Sequence, residues 1–173
     1  MLHPPMVIVA ICLALLSCVP PTAAMRGNDL TRAGEGVALR SDGKPAPEPC
    51  PEPAREVMKA LRLRPGDTAR VEVDANQFDV EPLTLLDGPI ESITLEPMGR
   101  LEGAARLYGR VWTSGPRVVI RYYRAQMAGG EAIPICAVAR QGGGQLESKP
   151  GRFPKSVEVP YSTALAFIVE DFL

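Results

Sequence analysis

The sequence predicts a mainly β fold, a compact antiparallel barrel or sandwich of about seven or eight short strands behind one N-terminal helix. Three observations carry this. After Gly66 the apolar period becomes two, as in Ala69, Val71 and Val73, and further short β-prone runs follow. Pro (18) and Gly (16) are frequent, and they punctuate those runs as turns would. Only one stretch has a helical period, and it is short.

That stretch begins at Glu52. Ala54, Val57, Met58 and Leu61 follow i, i+3, i+4, i+7 and place one apolar stripe on a helix. Pro53 suits the first turn, Glu52 and Glu56 favour the positive end of the dipole, and Pro65-Gly66-Asp67 stops the helix after Arg62 and Arg64. Next, Ala69, Val71 and Val73 alternate with Thr68, Arg70, Glu72 and Asp74, a half-buried strand. Runs at 80–86 and 90–95 flank the turn residues Asp87-Gly88-Pro89. A strand at 107–113 turns through Ser114-Gly115-Pro116 into 117–124, the strongest β segment. Gly129-Gly130 leads to 132–139, and Gly142-Gly143-Gly144 marks a loop before strands near 156–159 and 164–169.

The N-terminus has a different character. Met6 to Leu16 is apolar and uncharged, and it closes on Leu15-Leu16-Ser17-Cys18. A run of about a dozen such residues is too short to span a bilayer and reads as a secretory signal. The box resembles the end of lipoprotein signal peptides, which implies lipidation of Cys18. The expectation is a lipoprotein on the periplasmic face of the inner or outer membrane. Two alternatives stand beside it. Thr22-Ala23-Ala24 fits cleavage of an ordinary secreted protein, and the n-region carries only His3 where Lys or Arg is usual, which leaves a cytoplasmic chain with a misread start. Val19 to Pro51 is rich in Pro, Gly and charge without apolar periodicity, so residues 19–51 read as a disordered tether and 52–173 as one β-rich domain.

The formal net charge is -1, and no basic surplus or patch is visible, which argues against a nucleic-acid partner. Of the four cysteines, Cys12 and Cys18 belong to the leader. Cys50 and Cys136 then form an even pair, which in an oxidising compartment reads as a disulfide worth about 2–5 kcal/mol; the alternative is two unpaired apolar thiols in the core.

The stretch Leu101-Glu102-Gly103-Ala104-Ala105-Arg106-Leu107-Tyr108-Gly109-Arg110-Val111-Trp112-Thr113-Ser114-Gly115 is similar to a motif, Leu-Pro-x-Gly-Thr-x-Leu-Tyr-Gly-Arg-Leu-Trp-Thr-Gly, of a family of short bacterial lipoproteins. Further matches are Arg64-Pro65-Gly66-Asp67, Asp87-Gly88-Pro89-Ile90, Pro134-Ile135-Cys136 and Ser148 to Gly151. The chain departs from the pattern at Gly103-Ala104, which lacks the Thr, and at Ala128-Gly129-Gly130, where Pro-Asp-Gly is usual. The resemblance implies an envelope lipoprotein and no defined activity. Members of that family are often named serine/threonine protein kinases. A fainter likeness, over roughly forty residues, links the motif and the basic aromatic strand Arg117–Tyr122 to the β-barrel subunit of conjugative secretion channels, and it bears on fold class alone.

Kinase chemistry needs a Gly-rich phosphate loop, a strand Lys, a His-Arg-Asp loop and an Asp-Phe-Gly metal site, and the sequence has none of them. Gly142-Gly143-Gly144 is a bare triglycine with no Lys-Ser/Thr behind it. The only His is His3, so a mature chain has no His-based triad, general base or zinc ligand, and two cysteines alone complete no zinc site. Carboxylate pairs such as Asp87 with Glu91, and the scattered Glu96 and Glu102, leave a carboxylate-based hydrolase as a minor alternative. Ser162-Thr163 has no base beside it. No catalytic residue, metal or cofactor is expected. Tyr108 and Trp112 share one strand face, and with Arg110, Arg121 and Tyr122 they form a candidate binding face for a glycan or an envelope protein. Core packing with aromatic rims at the surface is the competing reading. A third reading makes the chain a subunit of an envelope or secretion assembly.

Overall fold

The computed structural model describes Arg32 and residues 34–173. The expected signal peptide with its lipidation site Cys18, together with Cys12 and the Thr22-Ala23-Ala24 box, lies outside the described residues. In chain order the elements are β1 (Glu48–Pro49), α1 (Glu52–Ala60), β2 (Thr68–Glu72), β3 (Leu83–Leu86), β4 (Gly88–Thr94), β5 (Arg106–Trp112), β6 (Val119–Gln126), β7 (Ala132–Arg140), β8 (Lys149–Pro150), β9 (Ser156–Val159), β10 (Thr163–Ile168) and β11 (Asp171–Phe172).

Six strands close into an antiparallel barrel in the order β10-β2-β4-β5-β6-β7. A barrel of six strands is narrow, and its interior is filled accordingly by small side chains. Ala69, Ala125, Ala137, Ala139, Ala164 and Ala166 are all buried, between layers of Val71, Leu107, Val111, Ile120 and Ile168. The period-two burial of β4 and β10 is the alternation read from the sequence. Ser92, Thr94 and Tyr122 bring polar groups into this interior. The Ser92 hydroxyl donates to the Val73 carbonyl and lies 2.8 Å from the Tyr122 hydroxyl. Ser92 has a single proton, so Tyr122 is the donor to it. Burial pushes the Tyr122 pKa well above its ordinary value, and the Ser92 bond offsets this in part.

Helix α1 is shorter than its apolar stripe, with Ala54 and Met58 buried, and it packs on β7. Cys50 and Cys136 are bonded across 86 residues with 5.9 Å between Cα atoms, fastening the entry to α1 onto the outer wall of β7. The Cys136 N–H lies 3.3 Å from the Met58 sulfur, so helix and disulfide cover one spot. Strands β3 and β4, expected on either side of the Asp87-Gly88-Pro89 turn, belong to different sheets. β3 joins β9 and β8 in a three-stranded sheet outside the barrel.

The tether expected up to Pro51 is corrected by the structure at its C-terminal end. From residue 34 the chain lies on the barrel: Leu39 bridges Pro45, and Glu48–Pro49 pairs with β11. Apolar periodicity carried no sign of this because the strap is held by main-chain pairing and by bonds from Arg121 and Tyr123, not by an apolar face of its own.

Candidate functional site

The five residues of the expected binding face lie on β5 and β6, and the structure separates them. Tyr122 points into the barrel and is fully buried, so it offers nothing to a ligand. Tyr108 is half-buried, at the far end of β5 from Trp112, where its hydroxyl donates to Gln126 Oε1 at 2.7 Å. Arg110, Trp112 and Arg121 do come together on the outer wall. Arg110 and Arg121 are direct partners across the β5–β6 pair, and their guanidinium carbons lie 5.9 and 5.5 Å from the Trp112 ring centroid.

Within this outer cluster Trp112 and Arg121 are closed to solvent, and Arg110 is half-buried at its rim. The Arg121 side chain is only 1 % exposed. Its Nη1 donates to the Ala46 carbonyl at 3.0 Å and pairs with Glu48 Oε1 at 3.3 Å. Its Nη2 donates to main-chain oxygens of Pro45 (3.4 Å) and Leu173 (3.5 Å), and its second face lies 5.1 Å from the Phe172 ring centroid. Tyr123, beside it, donates to Glu48 at 2.6 Å and packs on Phe172 at 5.0 Å. Burial, and then the bond to anionic Glu48, raises the Tyr123 pKa well above the ordinary tyrosine value. Gly34 (φ +74°) continues the cover: a Cβ there would meet the Tyr123 ring at 2.8 Å and Trp112 at 3.3 Å. An unpaired buried guanidinium is costly, so an arginine on a strand's outer face needs this many acceptors to persist there. The candidate face is thus the seat of the strap: Arg121 and Tyr122 are corrected from binding residues to buried ones, and Trp112 is 3 % exposed.

Three of the four carboxylates singled out from sequence have a structural partner, and the fourth, Glu102, is exposed. Asp87 pairs with Arg110 at 3.4 Å and accepts the Thr113 N–H at 3.3 Å. Glu91 pairs closely with Arg106, and Glu96 accepts the Arg70 N–H at 2.7 Å. Among the described residues, no group of three or more His, Cys, Asp or Glu stands at metal-binding range.

One open concavity borders the cluster at Arg121, and another lies beside α1. A groove of about 400 Å³ runs over β6, β7 and β10, lined by Val119, Val138 and Phe167 with Arg140 stacked 5.0 Å over Phe167. A second, of about 650 Å³, lies beside α1 and is lined by Arg55, Lys59, Arg62 and Arg64 with Met58 and Leu63. In sequence, Arg62 and Arg64 read as helix-end residues, and Arg55 and Lys59 carried no reading. The signal that marks them is density, four cations within ten residues beside an apolar stripe. No protein-family model matches the chain, and a search of curated proteins finds no match.

Proposed function

We propose that this chain is a lipid-anchored structural or binding protein of the bacterial cell envelope, working outside the cytoplasm and without catalysis. The observation that carries the reading is the buried Cys50–Cys136 bond, since such bonds persist in oxidising compartments and are rare in the cytoplasm. The apolar leader ending at Cys18 supports the same address. Asp87, Glu91 and Glu96 are each engaged by a structural partner, which favours a binding role over a carboxylate-based hydrolase. The kinase name borne by the family that the 101–115 motif resembles finds no support in the residues present. The barrel serves as a rigid platform, and its partners are the membrane, through the anchor, and an envelope protein or glycan.

A second reading, a subunit of an envelope or secretion assembly, is favoured by exposed Phe78, Leu86, Phe153 and Tyr161, each more than half exposed. Alkaline phosphatase fused behind Pro51 tests export. Activity in whole cells agrees with the proposal, and an inactive, cytoplasmic fusion refutes it. Cross-linking in intact envelopes separates the two readings: a stoichiometric protein partner favours the assembly subunit.

A further inference from the structure

The concavity beside α1 has the chemistry of an anion site. Its lining holds four cations and a single carboxylate, Glu170. Arg55 is partly neutralised by Glu52, but Lys59, Arg62 and Arg64 stand in no ion pair among the described residues. All four cations are exposed, whereas Met58 and Leu63 are buried, so charge stands at the edge of the cleft and hydrocarbon at its base.

Cations at the end of a helix have an ordinary explanation, as partners for its last carbonyls. Here other groups fill that role. The Arg100 N–H donates to the Leu61 carbonyl at 3.0 Å, the Arg100 guanidinium reaches the Ala60 carbonyl at 3.4 Å, and the Leu63 N–H donates to the Met58 carbonyl at 2.8 Å. Arg62 also holds a left-handed backbone (φ 56°), just past the helix end, where glycine is the favoured residue. An arginine at a glycine-favoured position, in a cleft with four cations to one carboxylate, points to a use for its charge.

We propose that this cleft binds the phosphate headgroup of an anionic phospholipid and seats the domain on the membrane surface. A phosphate beside hydrocarbon matches a cationic edge over an apolar base. The inference rests on the anchored reading for its supply of lipid, since an anchored domain meets headgroups at high local concentration. The ligand would sit between Lys59, Arg62 and Arg64, with its glycerol carbons over Met58 and Leu63.

The test is flotation of the full chain, purified from membranes, with vesicles of phosphatidylcholine alone or mixed with phosphatidylglycerol. The anchor binds both kinds, so the ratio between them isolates the cleft. The expected result is a clear preference for the anionic vesicles that falls about thirtyfold at low salt in the R62G, K59Q double variant. Arg62→Gly relieves a left-handed arginine, so its thermal midpoint should hold or rise, which separates lost binding from lost folding; Arg64→Gln serves as a second variant. Equal flotation on both vesicles, variants that float like the parent, or tighter binding to poly-glutamate than to the anionic vesicles would each overturn the proposal. Mass analysis of Cys18 in the same preparation reads the anchor separately, so failure of the anchored reading is not mistaken for failure of the cleft.

Discussion

The Arg121 guanidinium stacks 5.5 Å from the Trp112 ring centroid on the outside of the barrel, where a charged side chain would normally meet water. Instead, the strap at 45–48 and the β11 end of the chain close over it, and the arginine bonds to both. One side chain therefore ties the two ends of the domain to the middle of its sheet. Three main-chain oxygens and Glu48 depend on it.

Arg121→Met keeps the apolar stem and removes those bonds. Taking one partner from a buried ion pair leaves the others unsatisfied, so a loss of about 3 kcal/mol is expected by urea denaturation. Protease sensitivity should rise first at residues 38–49. A loss under about 0.5 kcal/mol, the range of ordinary surface substitutions, would show that the strap holds without this arginine.

Gly109 pairs with Tyr122 beside the β5–β6 register shift, and a Cβ there would collide with the Arg121 carbonyl oxygen. The obstacle is backbone, which cannot move aside as a side-chain end does. Gly109→Ala should cost about 3 kcal/mol or lower the yield of folded protein. An unchanged denaturation midpoint would mean that the bulge sits elsewhere.

The buried tyrosines give a pH dependence whose sign is fixed. Burial raises both Tyr122 and Tyr123 above their unfolded value of 10.0. Above that pH the unfolded chain loses protons that the folded chain keeps, so stability is whole below it and falls as pH rises. The limiting slope is about 1.4 kcal/mol per pH unit for each tyrosine. Tyr123→Phe should flatten the alkaline limb by up to one proton, read from denaturant curves across that range; an identical limb in the variant would place the tyrosine in water.

Period-two alternation shows in β4 and in β10, where Ala164, Ala166 and Ile168 alternate with less buried neighbours, whereas β6 and β7 are covered on both faces and bury consecutive residues. The two-residue strands β1, β8 and β11 are too short to show a period. Alternation also leaves open which sheet a strand joins, so β3 and β4 looked like neighbours although β3 pairs with β9. The binding face failed for a related reason. Trp112 and Arg121 lie on an outer face that alternation marks as solvated, but a strap without apolar periodicity covers it. Nothing local to Arg121 in the sequence distinguishes it from exposed Arg117.

Removing the disulfide tests how α1 is held. Cys50→Ser with Cys136→Ser should cost about 2–5 kcal/mol and loosen α1 from β7 while the barrel strands stay protected in hydrogen exchange. Uniform loss of protection across β4, β5 and β6 would show that the bond supports the whole barrel.

Intact-mass measurement of the protein from the membrane fraction, without reductant, bears on the envelope reading most directly. The account expects a chain that begins at Cys18, carries a diacylglyceryl group there, and is two hydrogens lighter than its reduced form through the Cys50–Cys136 bond. A soluble chain that keeps Met1 and two free thiols would contradict it.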